Sequence, residues 1–111
     1  MNLAVAAPIN DVTKLDLLVE RKDGGVDMCI VAQGVVDGSR ETLDLLETKV
    51  RNYVREALDS SFRENYGGIA PDRIQILFES RFAVDAAALS LISRLASEVS
   101  AAGLRLKVRE Y

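Results

Sequence analysis

The chain has 111 residues, 49% of them hydrophobic, with 14 basic and 17 acidic side chains and a net charge of −3. That length and composition predict one domain with enough apolar surface for its own core, and so balanced a charge supplies no field to draw in nucleic acid or anionic lipid. With no histidine and a single cysteine, Cys29, Ser-His-Asp and Cys-His nucleophile systems are excluded, as are an internal disulfide and zinc sites built from imidazole or several thiolates.

Residues 1–10, "MNLAVAAPIN", are apolar but lack a basic start, and Pro8 interrupts them. They read as an arm or short extra strand, not as a signal peptide. The expected division is an N-terminal arm over residues 1–14 and a single α/β domain over residues 15–111.

"LDLLVERK" and "VDMCIVAQ" flank "DGG". Two strand-like runs around Asp-Gly-Gly predict a hairpin, because glycine supplies the positive φ that such a turn needs. Alternation places Leu15, Leu17 and Val19 on one face of the first strand, and Val26, Met28, Ile30 and Ala32 on one face of the second. These sets are expected to face the core.

"GVVDGSR" is a loop in which Ser39 or Asp37 can cap the next helix. That helix is expected over residues 40–66. Leu43, Leu46, Val50, Tyr53, Val54, Ala57, Leu58 and Phe62 form its apolar stripe. Glu47 with Arg51, and Asp59 with Arg63, stand at surface-pair spacing, and Gly67-Gly68 ends the helix.

A third strand follows over residues 73–79, with Ile74, Ile76 and Phe78 on one face. Asp85 caps a second helix over residues 86–102, buried through Ala88, Leu91, Ile92, Leu95, Val99 and Ala102. Gly103 stops it, and "LRLKVREY" forms a fourth strand with Leu104, Leu106 and Val108 inward.

The order is therefore ββαβαβ. Right-handed crossovers put both helices on one side. The expected fold is an α/β (α+β) two-layer sandwich: a four-stranded mixed sheet in the order 1-2-3-4, strand 1 antiparallel, two helices on one face.

The other face is left without a helical cover. By alternation it carries Asp16, Leu18 and Glu20, then Asp27, Cys29 and Val31, then Gln75, Leu77 and Glu79, and finally Arg105, Lys107 and Arg109. Acids would line one edge and bases the other, with an apolar strip between. Such a strip suits an interface, so Leu18, Cys29, Val31, Leu77, Arg105 and Lys107 are the candidate interaction residues. In a two-fold homodimer the acidic edge of one copy would meet the basic edge of the other. Alternatively the arm, with Leu3, Val5 and Ile9, covers the strip within the chain.

Other candidates have structural readings. Asp37, Glu41 and Asp44 could be drawn as a metal site, but acids are favoured as caps and in first helical turns. Lys49 and Tyr53 lie four apart beside the apolar stripe; the lysine is expected to lay its stem along the core and keep its charge in water. Cys29, mid-strand among hydrophobes, reads as packing. Ser90, Ser93, Ser97 and Ser100 make a low-charge stripe on the second helix that suits solvent or close helix packing.

Residues 15–95 resemble a family of small bacterial proteins known as a domain of unknown function, through "LDLLVERKDGGVDMCIV", "DGSRETLDLLETKVRNYVREALD", "ENYGG" and "DRIQILFES" followed by Asp85. Val36 stands where that likeness leads one to expect an aromatic. The resemblance implies a fold and no catalytic residues. "VDAAALSLISRLASEVSAAGLRLKV" is similar to the strand-to-helix region of STAS domains, the anti-sigma-factor antagonist type. There an Asp-Ser pair opens the helix, and phosphorylation of the serine releases a partner. Asp85 matches the pair; Ala86 and Ala87 occupy the place of the serine.

The sequence thus leads to a cytoplasmic protein that acts by binding a protein partner or a second copy of itself. No cofactor, metal, nucleic acid or membrane partner is expected. The alternatives are a STAS-like regulator lacking the phosphorylatable serine, and an enzyme of unfamiliar type using carboxylates, Lys49 and Tyr53.

Overall fold

In the computed structural model, which describes residues 7–110, the first two strands are β1 (Leu17–Glu20) and β2 (Val26–Val31). They meet through the Asp-Gly-Gly turn, where Gly24 takes φ +88°, a value that residues bearing a Cβ resist. Ser39 caps α1 (Arg40–Leu58) by accepting from the Thr42 N–H. α2 (Ser60–Glu64), β3 (Ile74–Ser80), α3 (Ala86–Ala101) and β4 (Arg105–Glu110) complete the order.

The sheet order is β1-β2-β3-β4, with β1 antiparallel to β2 and the remaining pairs parallel. The expected two-layer α+β class and strand order are therefore present. The helices cover one face and share a single core with it. Met28, Ile30, Ile76 and Phe78 from the sheet are wholly buried there, with Leu46 and Ala57 of α1 and Ala88 of α3.

The long first helix expected over residues 40–66 is divided. Asp59 adopts an extended backbone (φ −71°, ψ 127°), ends α1, and caps α2 by accepting from the Ser61 N–H. The Asp59 carboxylate is thus engaged with the backbone, not with Arg63 as the spacing suggested. The Glu47–Arg51 pair does form, at 3.0 Å.

A second difference concerns β1. Its register pairs Leu18 with Met28, and Leu17 with Cys29. Directly paired residues share a face, so Leu18 lies on the helix side with Met28, half-buried against the core. Leu17 and Val19 lie on the open side and are exposed. The expected inside and outside of this strand are exchanged.

Candidate functional site

Strand pairing sets three rows across the open face. Leu17, Cys29, Leu77 and Lys107 form one; Val19, Asp27, Gln75 and Arg105 a second; Val31, Glu79 and Arg109 a third. Cys29, Val31, Leu77, Arg105 and Lys107 therefore share a face as the sequence suggested, and Leu18 does not. Asp16 and Glu20 leave with it, since they alternate with Leu17 and Val19.

That exchange changes the charge pattern. The acids that remain on the open face are already engaged: Asp27 accepts from the Arg21 guanidinium at 2.6 Å, and Glu79 pairs with Arg109 at 3.2 Å. An acidic edge facing a basic edge, the basis for the two-fold face-to-face dimer, is lost. Arg105 and Lys107 are exposed, and neither makes an ion pair among the described residues.

The centre of the strip is closed, not open. Cys29 is 1% exposed and Leu77 is 3% exposed. Burial pushes the Cys29 thiol up to about 11, so little nucleophilic thiolate exists near neutrality. The accessible apolar surface lies instead toward β1 and the carboxyl ends of the parallel strands. A groove of about 350 Å³ there is lined by Leu17, Val31, Gln33, Glu79, Arg81 and Phe82, among others. Leu17 and Phe82 are both nearly half exposed on its walls.

The described part of the arm, residues 7–14, runs on the helix side and not over this face. Ile9 is 3% exposed in the helix-side core. Pro8 O accepts from the Gln33 N–H at 2.9 Å, and Val12 O accepts from the Asn52 side-chain amide at 2.9 Å. Leu3 and Val5 lie outside the described residues.

Lys49, Tyr53 and Asp16 are brought together, but inside the protein. Lys49 is wholly buried, and its Nζ donates to Asp16 Oδ1 at 2.6 Å and to Asn10 O at 3.2 Å. The expected water-exposed ammonium is therefore absent. Asp16 Oδ2 accepts from the Val31 N–H, and the Tyr53 hydroxyl accepts from the Asp16 N–H while donating to Cys29 O at 2.7 Å. Burial pushes the Tyr53 phenol up. These groups fasten α1 to the entry of β1 and the end of β2, with their polar atoms turned on one another. Of the three, Tyr53 alone lines an open cleft, one of about 300 Å³ beside residues 12–15.

The start of α3 forms another surface. Val36 N donates to Ala83 O, and Asp85 N to Val36 O, zipping the loops ahead of α1 and α3 together. Gly38 sits so close that a Cβ there would lie 2.7 Å from Asp85 Oδ1. Asp85 caps α3 by accepting from the Ala87 N–H. Ala86, Ala87 and Leu89 are exposed, and a groove of about 250 Å³ runs past Gly38, Arg40, Leu43, Leu91 and Arg94. The serine stripe of α3 faces solvent.

Asp37 accepts from the Ser39 N–H, and hydrogen bonds from Ser39 and Thr42 hold its carboxyl below the usual range. Among the described residues no group of three or more carboxylate or thiol side chains could hold a metal. No described helix is long and apolar enough to cross a membrane.

Leu17, Val19, Phe82 and the Asp16–Lys49 pair were not among the sequence candidates. Phe82 carried a signal: an aromatic placed after a strand end, between charged and small residues, outside either apolar stripe. No family model matches this chain, and neither a curated protein nor a solved structure does.

Proposed function

We propose that this protein is a protein-binding module that docks its partner on the open side of the sheet. The observation that carries the reading is the groove walled by Leu17, Val31 and Phe82 at the carboxyl ends of β2 and β3. Open α/β sheets commonly bind ligands outside those strand ends, and an exposed aromatic beside aliphatic side chains makes a good anchor pocket. The partner is a protein segment that inserts an apolar side chain between Leu17 and Phe82. Acidic residues further along it meet Arg105 and Lys107. Site-specific photocrosslinking in cells tests this. A photoreactive residue at Phe82 should give one discrete protein adduct, weakened in the Lys107→Glu background, while one at Ser97 on the far face of α3 should not. Equal adducts at both positions, or an adduct indifferent to Lys107→Glu, would overturn it.

A second reading has its own observation. The exposed start of α3, with Ala86, Ala87 and Leu89 beside the Gly38–Arg94 groove, suits a STAS-like regulator that binds a partner there without phosphorylation. An adduct at Ala87 in place of Phe82 selects it.

A further inference from the structure

A sheet edge is a row of unused N–H and C=O groups, and proteins ordinarily blunt it with charge, proline or a cover. The two edges of this sheet are treated differently. β4 alternates Arg105, Lys107 and Arg109 along its length. β1 presents Leu17, Leu18 and Val19, with Leu17 46% and Val19 41% exposed.

The backbone of β1 has free groups to offer. Val31 N donates to Asp16 Oδ2, and Gly25 O accepts from Arg21 N, so the odd-numbered residues of β2 aim their backbone at β1. Ala32 N, of opposite parity, donates to Glu79 on the β3 side. Antiparallel alternation then assigns Leu17, Val19 and Arg21 to bonds with β2 and turns the N–H and C=O of Leu18 and Glu20 outward. Among the described residues no strand lies beyond β1.

We propose that the β1 edge pairs, antiparallel and about a two-fold axis, with β1 of a second copy of this chain. Leu18 faces the copy's Leu18 across the axis and exchanges both N–H···O bonds with it. On the open side Leu17 faces the copy's Val19, and Val19 the copy's Leu17. Each Glu20 N–H reaches the C=O of the copy's Asp16, whose own N–H is already given to Tyr53. The acid opposite Glu20 is thus one whose charge Lys49 balances. A cleft of about 300 Å³ lined by residues 12–15, Asn52, Tyr53, Arg55 and Glu56 lies just ahead of β1.

A second copy fits better than another strand because the register is self-complementary: apolar meets apolar at each central position. The same operation at β4 would bring Arg105, Lys107 and Arg109 against their own kind, and like charges directly opposite are destabilising. Pairing β1 with β4 of another copy would be head-to-tail, giving a ring or an open chain of copies and not a two-fold dimer, and would set Leu17 and Val19 against the basic residues of β4. The β1 pairing shares Leu17 with the groove but uses neither Phe82 nor Lys107, so Val19→Lys and Lys107→Glu separate it from the docking reading.

Two measurements on the full chain test it. Sedimentation across low micromolar to millimolar concentration should show a monomer–dimer equilibrium, abolished by Val19→Lys and kept by Lys107→Glu. Both substituted side chains are exposed, and circular dichroism confirms that each variant folds. Amide exchange at Leu18 and Glu20 should slow by about ten-fold as dimer forms, while that along β4 is unchanged. A monomer at every concentration, a dimer that survives Val19→Lys, or new protection on β4 instead of β1 would each overturn the proposal.

Discussion

Helix α1 carries two ionic arrangements whose surroundings make them opposites. On its inner face the Lys49–Asp16 pair is closed from water, with side chains 0% and 6% exposed. On its outer face Arg51 reaches both Glu47 and Glu98, at 3.0 and 3.3 Å, with every side chain substantially exposed. Both join α1 to another element, the first to the entry of β1 and the second to α3. The inner contact is the shorter, at 2.6 Å, but distance does not rank them. Water does. A buried charge that loses its partner has nothing to replace it, whereas an exposed one is resolvated at once.

The largest expected effect comes from breaking the inner pair on one side. Lys49→Ala should destabilise the fold by about 3–5 kcal/mol, read from the urea midpoint, because it strands the Asp16 carboxylate in the core. The double variant Lys49→Met with Asp16→Asn should recover most of that loss. It removes both charges, keeps an oxygen for the Val31 N–H, and fills the lysine's volume. A single variant costing less than about 1 kcal/mol would mean that water reaches the pair after all.

Tyr53→Phe probes the neutral part of the same latch and should cost about 1–3 kcal/mol by thermal or urea unfolding. The ring stays in place, and what is lost is the hydroxyl that joins Asp16 N to Cys29 O. An effect equal to that of Lys49→Ala would show that the hydroxyl, and not the charge pair, governs the region.

This latch also explains what could and could not be seen in the sequence. The turn glycines, the caps at Ser39 and Asp85 and the apolar stripes of the helices are local signals, and they were enough for the sheet order and the layer arrangement. The face of β1 was not local. In "LDLLVE" the acids at Asp16 and Glu20 argue that their side is wet, which turns Leu17 and Val19 inward. Asp16 is buried by a lysine 33 positions away, and with a period of two a single such exchange flips every side chain of the strand. Leu18 thereby left the candidate site, and Leu17 and Val19 entered it. The break at Asp59 was legible in principle. "DSS" is a capping signature, but the apolar stripe continuing to Phe62 concealed it. Cys29, Val31, Leu77, Arg105 and Lys107 were placed on one face correctly because β2, β3 and β4 alternate without an internal acid–lysine exchange. That Cys29 and Leu77 would be closed off is not something alternation can count.

The outer pair gives the smallest and most conditional effect. Arg51→Ala should lower stability by less than about 1 kcal/mol at low salt, since exposed pairs gain little over hydration. The deficit should shrink further as salt is raised toward about 1 M, where screening acts within roughly 3 Å. Lys49→Ala should keep its deficit under the same titration, because ions do not enter the core to screen it. The two salt curves, measured side by side, separate burial from proximity as the origin of each pair's strength. An Arg51 deficit that persists in high salt would place its contact with Glu98 among the packing interactions of α1 and α3, through the aliphatic stem of the arginine, and not among the ionic ones.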